Sequence, residues 1–120
     1  MTHVEPVSPT PSVPQRMMSS PHARAWAALS AASEASGYSI EQITGPRRKR
    51  RLVHSRWLAI WLMRKTTKLP LQNIGFYFGH RDHTTILHGI REFEKLRAAD
   101  VGVTTRSDAM LERLRERRDG

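Results

Sequence analysis

The 120-residue sequence contains no cysteine, which excludes disulfides, thiolate zinc sites and cysteine-based catalysis. No apolar run approaches the roughly 20 residues that a membrane-spanning helix needs. The N-terminus lacks the apolar core of a secretory signal, and no nucleotide-binding loop of the form G-x-x-x-x-G-K-S/T occurs. These absences predict a cytoplasmic protein without a P-loop ATPase.

Positive charge is the dominant feature that the sequence does have. Lys and Arg total 20 against 11 Asp and Glu, so the formal net charge is +9. Residues 37–100 hold 13 of the cations and 5 of the acids, which places the surplus in the middle of the chain. Such a surplus attracts polyanions, either nucleic acid or an anionic membrane surface.

Prolines divide the chain into two parts. Five of the seven lie in residues 1–22, where no helical or strand period occurs. A segment of this kind cannot bury enough apolar area to offset its ordering entropy. We therefore predict a disordered tail over 1–22, or alternatively a proline-rich peptide that binds a partner. Residues 23–120 are predicted to form one folded domain.

Helical signals fill this folded part and predict an all-α protein. An alanine-rich helix is predicted from His22 to Ser36, with Trp26, Leu29 and Ala32 facing the core. The further predicted helices are a capped turn beginning at Ser39, an apolar central helix over 54–67, a short helix from Pro70 to Tyr77, a helix from His83 to about Ala98, and an amphipathic helix from Ser107 to Arg118 after a flexible 101–106.

A short turn around Gly79 separates two of these helices, which is the arrangement of a helix-turn-helix. The fold class predicted is therefore a small helical domain built on this unit. The second helix of such a unit presents its first residues to base edges in the major groove. An aspartate accepts from the cytosine amino group, and a threonine offers a hydroxyl and a methyl. The candidate base-contacting residues are Asp82, His83, Thr84 and Thr85.

Five consecutive cations, Arg47 to Arg51, lie between two predicted helices. Such a run is often a solvated loop, but one held near a folded surface can follow phosphates or enter a minor groove. We predict DNA contact here, with Arg50 on a phosphate. Arg56 and Arg64 on the following helix are predicted to reach the same backbone.

The stretch from Asn73 to Gly89, NIGFYFGHRDHTTILHG, resembles the signature of the C-terminal DNA-binding domain of the DnaA family of bacterial replication initiators. The resemblance extends over 38–100 and implies an all-helical domain that recognises the DnaA box. It also implies roles for single residues: Asp82, His83, Thr84 and Thr85 on bases in the major groove, Arg48 in the minor groove, and Arg56, Arg64 and His88 at the phosphate backbone.

Three positions depart from the family pattern. His80 replaces the second glycine of the turn, Pro70 replaces a polar capping residue, and Trp57 stands where glutamine is frequent. These three substitutions are expected to shift the DNA sequence that the protein prefers. The base-contacting residues Asp82 to Thr85 match the family pattern.

Three other functions are less well supported by the residues. Zinc is disfavoured because His83 and His88, five apart on one helix, point away from each other. A nuclease would need paired carboxylates or two positioned histidines, and acids are few around Asp82. Membrane binding through the alanine-rich helix is weakened because Arg24 is its only cation.

The sequence thus predicts a non-enzymatic protein that needs no metal, cofactor or small-molecule substrate. The predicted function is sequence-specific binding of double-stranded DNA at DnaA-box-like sites, acting in control of replication initiation or transcription. The predicted location is the nucleoid, where the protein would compete with the full-length initiator. The alternative is a basic module that binds nucleic acid or anionic membranes without specificity.

Overall fold

The computed structural model describes residues 20–119, so the predicted tail lies outside the described residues except at its end. Within this part of the chain the structure is all-α, as predicted, and contains no strand. Its helices are α1 (Pro21–Ser36), α2 (Ile40–Thr44), α3 (Arg50–Thr66), α4 (Leu71–Phe76), α5 (His83–Ala99) and α6 (Val101–Asp119).

Helix α1 begins two residues before the predicted domain boundary. The Ser20 hydroxyl accepts a hydrogen bond from the Ala23 amide at 3.1 Å, and Pro21 occupies the first helical turn, where its fixed φ is favourable. The prediction that Trp26 faces the core was wrong, because 44% of this residue is exposed. The buried face consists of small residues and one leucine: Ala25, Ala28, Leu29 and Ala32. Small side chains let α1 approach α3 closely.

Helix α3 is central, as its apolar composition predicts, since every other helix contacts it. Its middle is buried continuously from Ala59 to Met63. The helix begins at Arg50 rather than near residue 54, so the last two cations of the basic run form its first turn.

The predicted flexible segment 101–106 is instead the start of α6. Asp100 ends α5, and its Oδ1 accepts from the Gly102 amide at 2.8 Å, so one residue both closes a helix and caps the next. Ser107, predicted as the cap, is buried in the middle of α6, where its hydroxyl donates to the Val103 carbonyl at 2.7 Å. Local capping and packing outweigh the weak helix propensity of this segment.

Arg97 joins α5 to both α3 and α6. Its Nη1 donates to Ser107 Oγ at 2.7 Å and to Asp108 Oδ1 at 2.8 Å, while its guanidinium lies 4.6 Å from the Trp61 ring centre. The Trp61 indole donates to Glu94 Oε2 at 2.8 Å. The apolar face of α6 is buried against the same core through Met110, Leu111 and Leu114. The apolar face of α6 therefore packs against the core of its own domain.

The turn between α4 and α5 is tight because the backbone of Gly75 lies directly against the backbone of Arg81. The Arg81 amide donates to the Gly75 carbonyl at 3.1 Å, and a Cβ at Gly75 would lie only 2.0 Å from the Arg81 carbonyl oxygen. Gly79 and His80 have φ of +73° and +61°, and His80 is the non-glycine residue with positive φ among those described. The two helices predicted around this turn are confirmed to within one residue at each end.

Replacing His80 by glycine should raise the free energy of unfolding by about 0.5 kcal/mol, because glycine adopts the left-handed conformation without the Cβ penalty. The gain is smaller than the penalty because glycine also increases the entropy of the unfolded chain. Urea denaturation measures the effect. His80→Ala is the control and should give no gain, since alanine keeps the Cβ; equal stabilisation by both variants would contradict this account.

Candidate nucleic-acid interface

The first turn of α5 presents polar groups to solvent. Asp82 caps the helix, with its Oδ1 accepting from the Thr85 amide at 2.9 Å. This hydrogen bond holds the pKa of the Asp82 carboxyl below its usual range, so the group is a carboxylate acceptor at neutral pH. His83, Thr84 and Thr85 are exposed beside it. The four predicted base-contacting residues thus share one accessible helix start.

The basic run leads into an uncapped helix. Arg47, Arg48 and Lys49 are exposed ahead of α3, and Arg50 and Arg51 are exposed on its first turn. Lys49 at the N-cap provides no side-chain hydrogen bond, and the first turn contains no acid. Free amide groups and the helix dipole add to the five cations, so this end of α3 favours an anion.

Arg81 connects the basic run to α5. Its Nη2 donates to the Gly45 carbonyl at 2.6 Å, just ahead of the run, while its backbone precedes Asp82. Partial burial and, to a smaller extent, the charge of Arg48 lower the pKa of Arg81. Sequence reasoning missed this residue, because a bond to a carbonyl 36 positions away leaves no periodic signal.

Arg56 is buried and hydrogen-bonded to backbone carbonyls, which its predicted contact with phosphate did not lead us to expect. Only 4% of the residue is exposed, and its Nε and Nη2 donate to the Ile43 and Gln42 carbonyls at 2.7 and 3.3 Å. Burial and the nearby Arg81 lower the pKa of Arg56 to about 10. The side chain satisfies carbonyls at the end of α2, and a phosphate contact by Arg56 stays a prediction.

The remaining predicted backbone contacts lie apart from one another. Arg64 is exposed near the end of α3, 14 residues after Arg50, which is about 21 Å along the helix. One of its nitrogens, Nη1, donates to the Leu69 carbonyl at 3.1 Å. His88 is exposed on α5, with its ring edge-on to Trp57 at 6.2 Å. Arg50 and Arg64 are therefore too far apart along α3 to contact the same phosphate.

A family model for the helix-turn-helix of the bacterial DnaA protein matches residues 28–92, which is more than half of the chain. The chain belongs to this DnaA family. The matched region runs from α1 to α5 and includes the basic run and the turn. The family assignment supports DNA binding through this helix-turn-helix.

Several chromosomal replication initiator proteins DnaA are similar to this DnaA-family chain. Those of Caulobacter vibrioides and Thermus thermophilus are 36% and 40% identical over 85 and 80 residues, or 71% and 67% of the chain. That of Cereibacter sphaeroides is 43% identical over 61 residues, or 51% of the chain. The matches cover 17%, 17% and 13% of these relatives, so the chain corresponds to a small part of their length.

The departures from the DnaA pattern have distinct structural settings. Pro70 is the N-cap of α4 and makes no side-chain hydrogen bond to it. His80 adopts the positive φ that favours glycine, and its ring meets Phe76 edge-on at 5.3 Å. Trp57 lies between two histidine rings at the crossing of α3 and α5.

Two findings bear on the other functions considered. Among residues 20–119, no group of three or more metal-binding side chains is placed to hold an ion. None of the helices in that range is both long enough and apolar enough to traverse a bilayer.

Proposed function

We propose that this DnaA-family chain binds double-stranded DNA sequence-specifically at sites like the DnaA box. The observation that carries the proposal is the exposed start of α5, where the capping carboxylate, an imidazole and two hydroxyls follow Arg81, which is hydrogen-bonded to Gly45 just ahead of the basic run. Hydrogen-bonding groups of this kind suit base edges in the major groove. The cations supply the affinity for phosphate that any DNA complex requires.

The residues divide into two roles in this complex. Asp82, His83, Thr84 and Thr85 read bases in the major groove, and Arg48 enters the adjacent minor groove. The residues that contact phosphates are Arg50, Arg64 and His88. Arg56 supports the site from beneath by fixing the end of α2.

Control of replication initiation or transcription is the role that we propose for this binding. The similar proteins are named chromosomal replication initiators, and this chain matches only a small part of them. We propose that it acts without catalysis, by occupying DnaA-box-like sites in the nucleoid and competing there with the full-length initiator.

A fluorescence-anisotropy titration tests the proposal, using one duplex that carries a DnaA box and one of the same composition with the box scrambled. We expect a preference of at least tenfold for the box, which corresponds to about 1.4 kcal/mol. Equal and steeply salt-dependent binding to both duplexes would instead support a basic module without specificity.

Replacing Arg64 by glutamine should weaken binding to both duplexes similarly. Loss of one phosphate contact should also flatten the dependence of log affinity on log salt by about one unit of slope. Titrations at several salt concentrations measure this. Arg113→Gln, on the exposed face of α6, is the matched control. An unchanged slope in Arg64→Gln would mean that this side chain contacts no phosphate.

A further inference from the structure

Three rings form a row where α3 and α5 cross. The Trp57 and His54 rings stack, with centres 5.2 Å apart and an interplanar angle of 28°. The His88 ring meets the indole edge-on, at 6.2 Å and 81°. Gly89 permits this close crossing, since a Cβ there would lie 3.0 Å from Trp57 Cδ1. We name His54, Trp57 and His88 the ring ridge.

The ring ridge links the two parts of the proposed DNA surface. Arg50, on the uncapped first turn of α3, is one turn before His54, and Thr84, at the start of α5, is one turn before His88. His88 is exposed, and the other two residues are partly exposed. No side chain or backbone group in the described part of the chain hydrogen-bonds to the ring nitrogens of the ridge. These nitrogens therefore have no partner within residues 20–119.

We propose that the ring ridge binds DNA phosphates and that DNA binding is thereby coupled to proton uptake. This inference rests on the proposed function and deepens it. The indole N–H of Trp57 is a neutral donor, and an imidazole becomes a stronger donor when it is protonated. A phosphate beside a histidine favours its charged form, so protons bind together with DNA.

The charges around the ridge make His54 the main candidate for this coupling. Burial and the neighbouring Arg50 lower the pKa of His54, so the free protein holds it neutral at pH 7.5. His54 also lines a groove between α3, α5 and α6 together with Asp100 and Arg106, which carry opposite charges. His88 faces Glu92, one turn along α5, whose carboxylate is paired with Lys95 at 3.0 Å. A phosphate would offset the repulsion from Arg50 and restore the proton.

The test is an anisotropy titration of the box duplex between pH 6 and pH 8 at constant ionic strength. We expect the affinity of the unmodified chain to rise about fivefold to tenfold as the pH falls, since one pKa unit corresponds to tenfold. His54→Gln should lose most of this rise. Trp57→Phe keeps a ring but not the N–H, and should bind about threefold more weakly at every pH with an unchanged salt slope.

His22→Gln is the matched control, because both ring nitrogens of His22 already have partners in Tyr77 and Trp26. It should retain the full pH dependence, and circular dichroism at pH 6 should show every variant folded. The inference is overturned if His54→Gln follows the same pH profile as the unmodified chain, or if Trp57→Phe binds equally well. A box affinity that does not vary with pH, with the preference for the box retained, defeats the ridge alone, whereas absence of any box preference defeats the proposed function.

Discussion

Replacing Gly75 by alanine is expected to lower the free energy of unfolding by about 3 kcal/mol, the largest loss predicted for a single added methyl group in this domain. The new Cβ would lie 2.0 Å from the Arg81 carbonyl oxygen, and the turn cannot yield without breaking its hydrogen bond to the Gly75 carbonyl. Thermal unfolding followed by circular dichroism should show a Tm about 15 °C lower.

Gly102→Ala provides the matched control for this substitution. Gly102 is also helical, but the nearest obstacles to a Cβ there are two side chains, Arg106 at 3.1 Å and Asp100 at 3.2 Å, which can shift slightly where backbone cannot. Alanine should therefore be tolerated there and should add about 0.5 kcal/mol through its better helix propensity. If Gly75→Ala left the Tm unchanged, the backbone contact between α4 and the turn would not be as close as described.

Replacing Thr84 by alanine should cost about 1–3 kcal/mol in binding to the DnaA-box duplex and should relax the preference for its bases. Thr84 is exposed on the first turn of α5, so its hydroxyl and methyl are lost to DNA without disturbing the core. His83→Ala should act in the same way. Competition with duplexes mutated at single base pairs measures both effects.

Two comparisons separate base reading from a general loss of binding. Thr105→Ala, an exposed threonine on α6, should bind the box as the unmodified chain does. On the scrambled duplex, Thr84→Ala should lose much less affinity than on the box. Equal losses on both duplexes would contradict the assignment of Thr84 as a base reader.

The helix-turn-helix could be predicted from the sequence because its signals are local. Asp82 caps α5 through the amide only three residues later, and Gly79 adopts the positive φ that glycine favours. The helical spacing of apolar residues in α5 also predicts its buried face, since Ile86 and Phe93 are buried. Signals of this range are readable in a single sequence.

The start of α6 could not be read from propensity alone. Residues 101–106 contain valines, threonines and a glycine, all of which are poor helix formers. The helix forms there because Asp100 supplies the cap and because Thr104 Oγ1 donates to the Arg97 carbonyl at 2.6 Å. The second contact joins two helices, and no local pattern reports it.

Long-range bonds also give two arginines of the candidate site different structural settings. Arg56 and Arg64 look alike in the sequence, yet the first is buried beneath α2 and the second is exposed. The difference arises because α2 ends above Arg56, where two carbonyls need donors. Burial of a charged group under a neighbouring helix is a tertiary property that composition does not encode.

The bond from Arg81 to the Gly45 carbonyl has a consequence for the length of the DNA target. It fixes the start of the basic run relative to α5, so in the proposed complex the distance between the basic run and α5 stays constant. Inserting one base pair between the major-groove and minor-groove parts of the site would separate them by about 3.4 Å and rotate them by about 34°. The protein could then engage one part or the other, and such an insertion should be tolerated less well than a single base substitution.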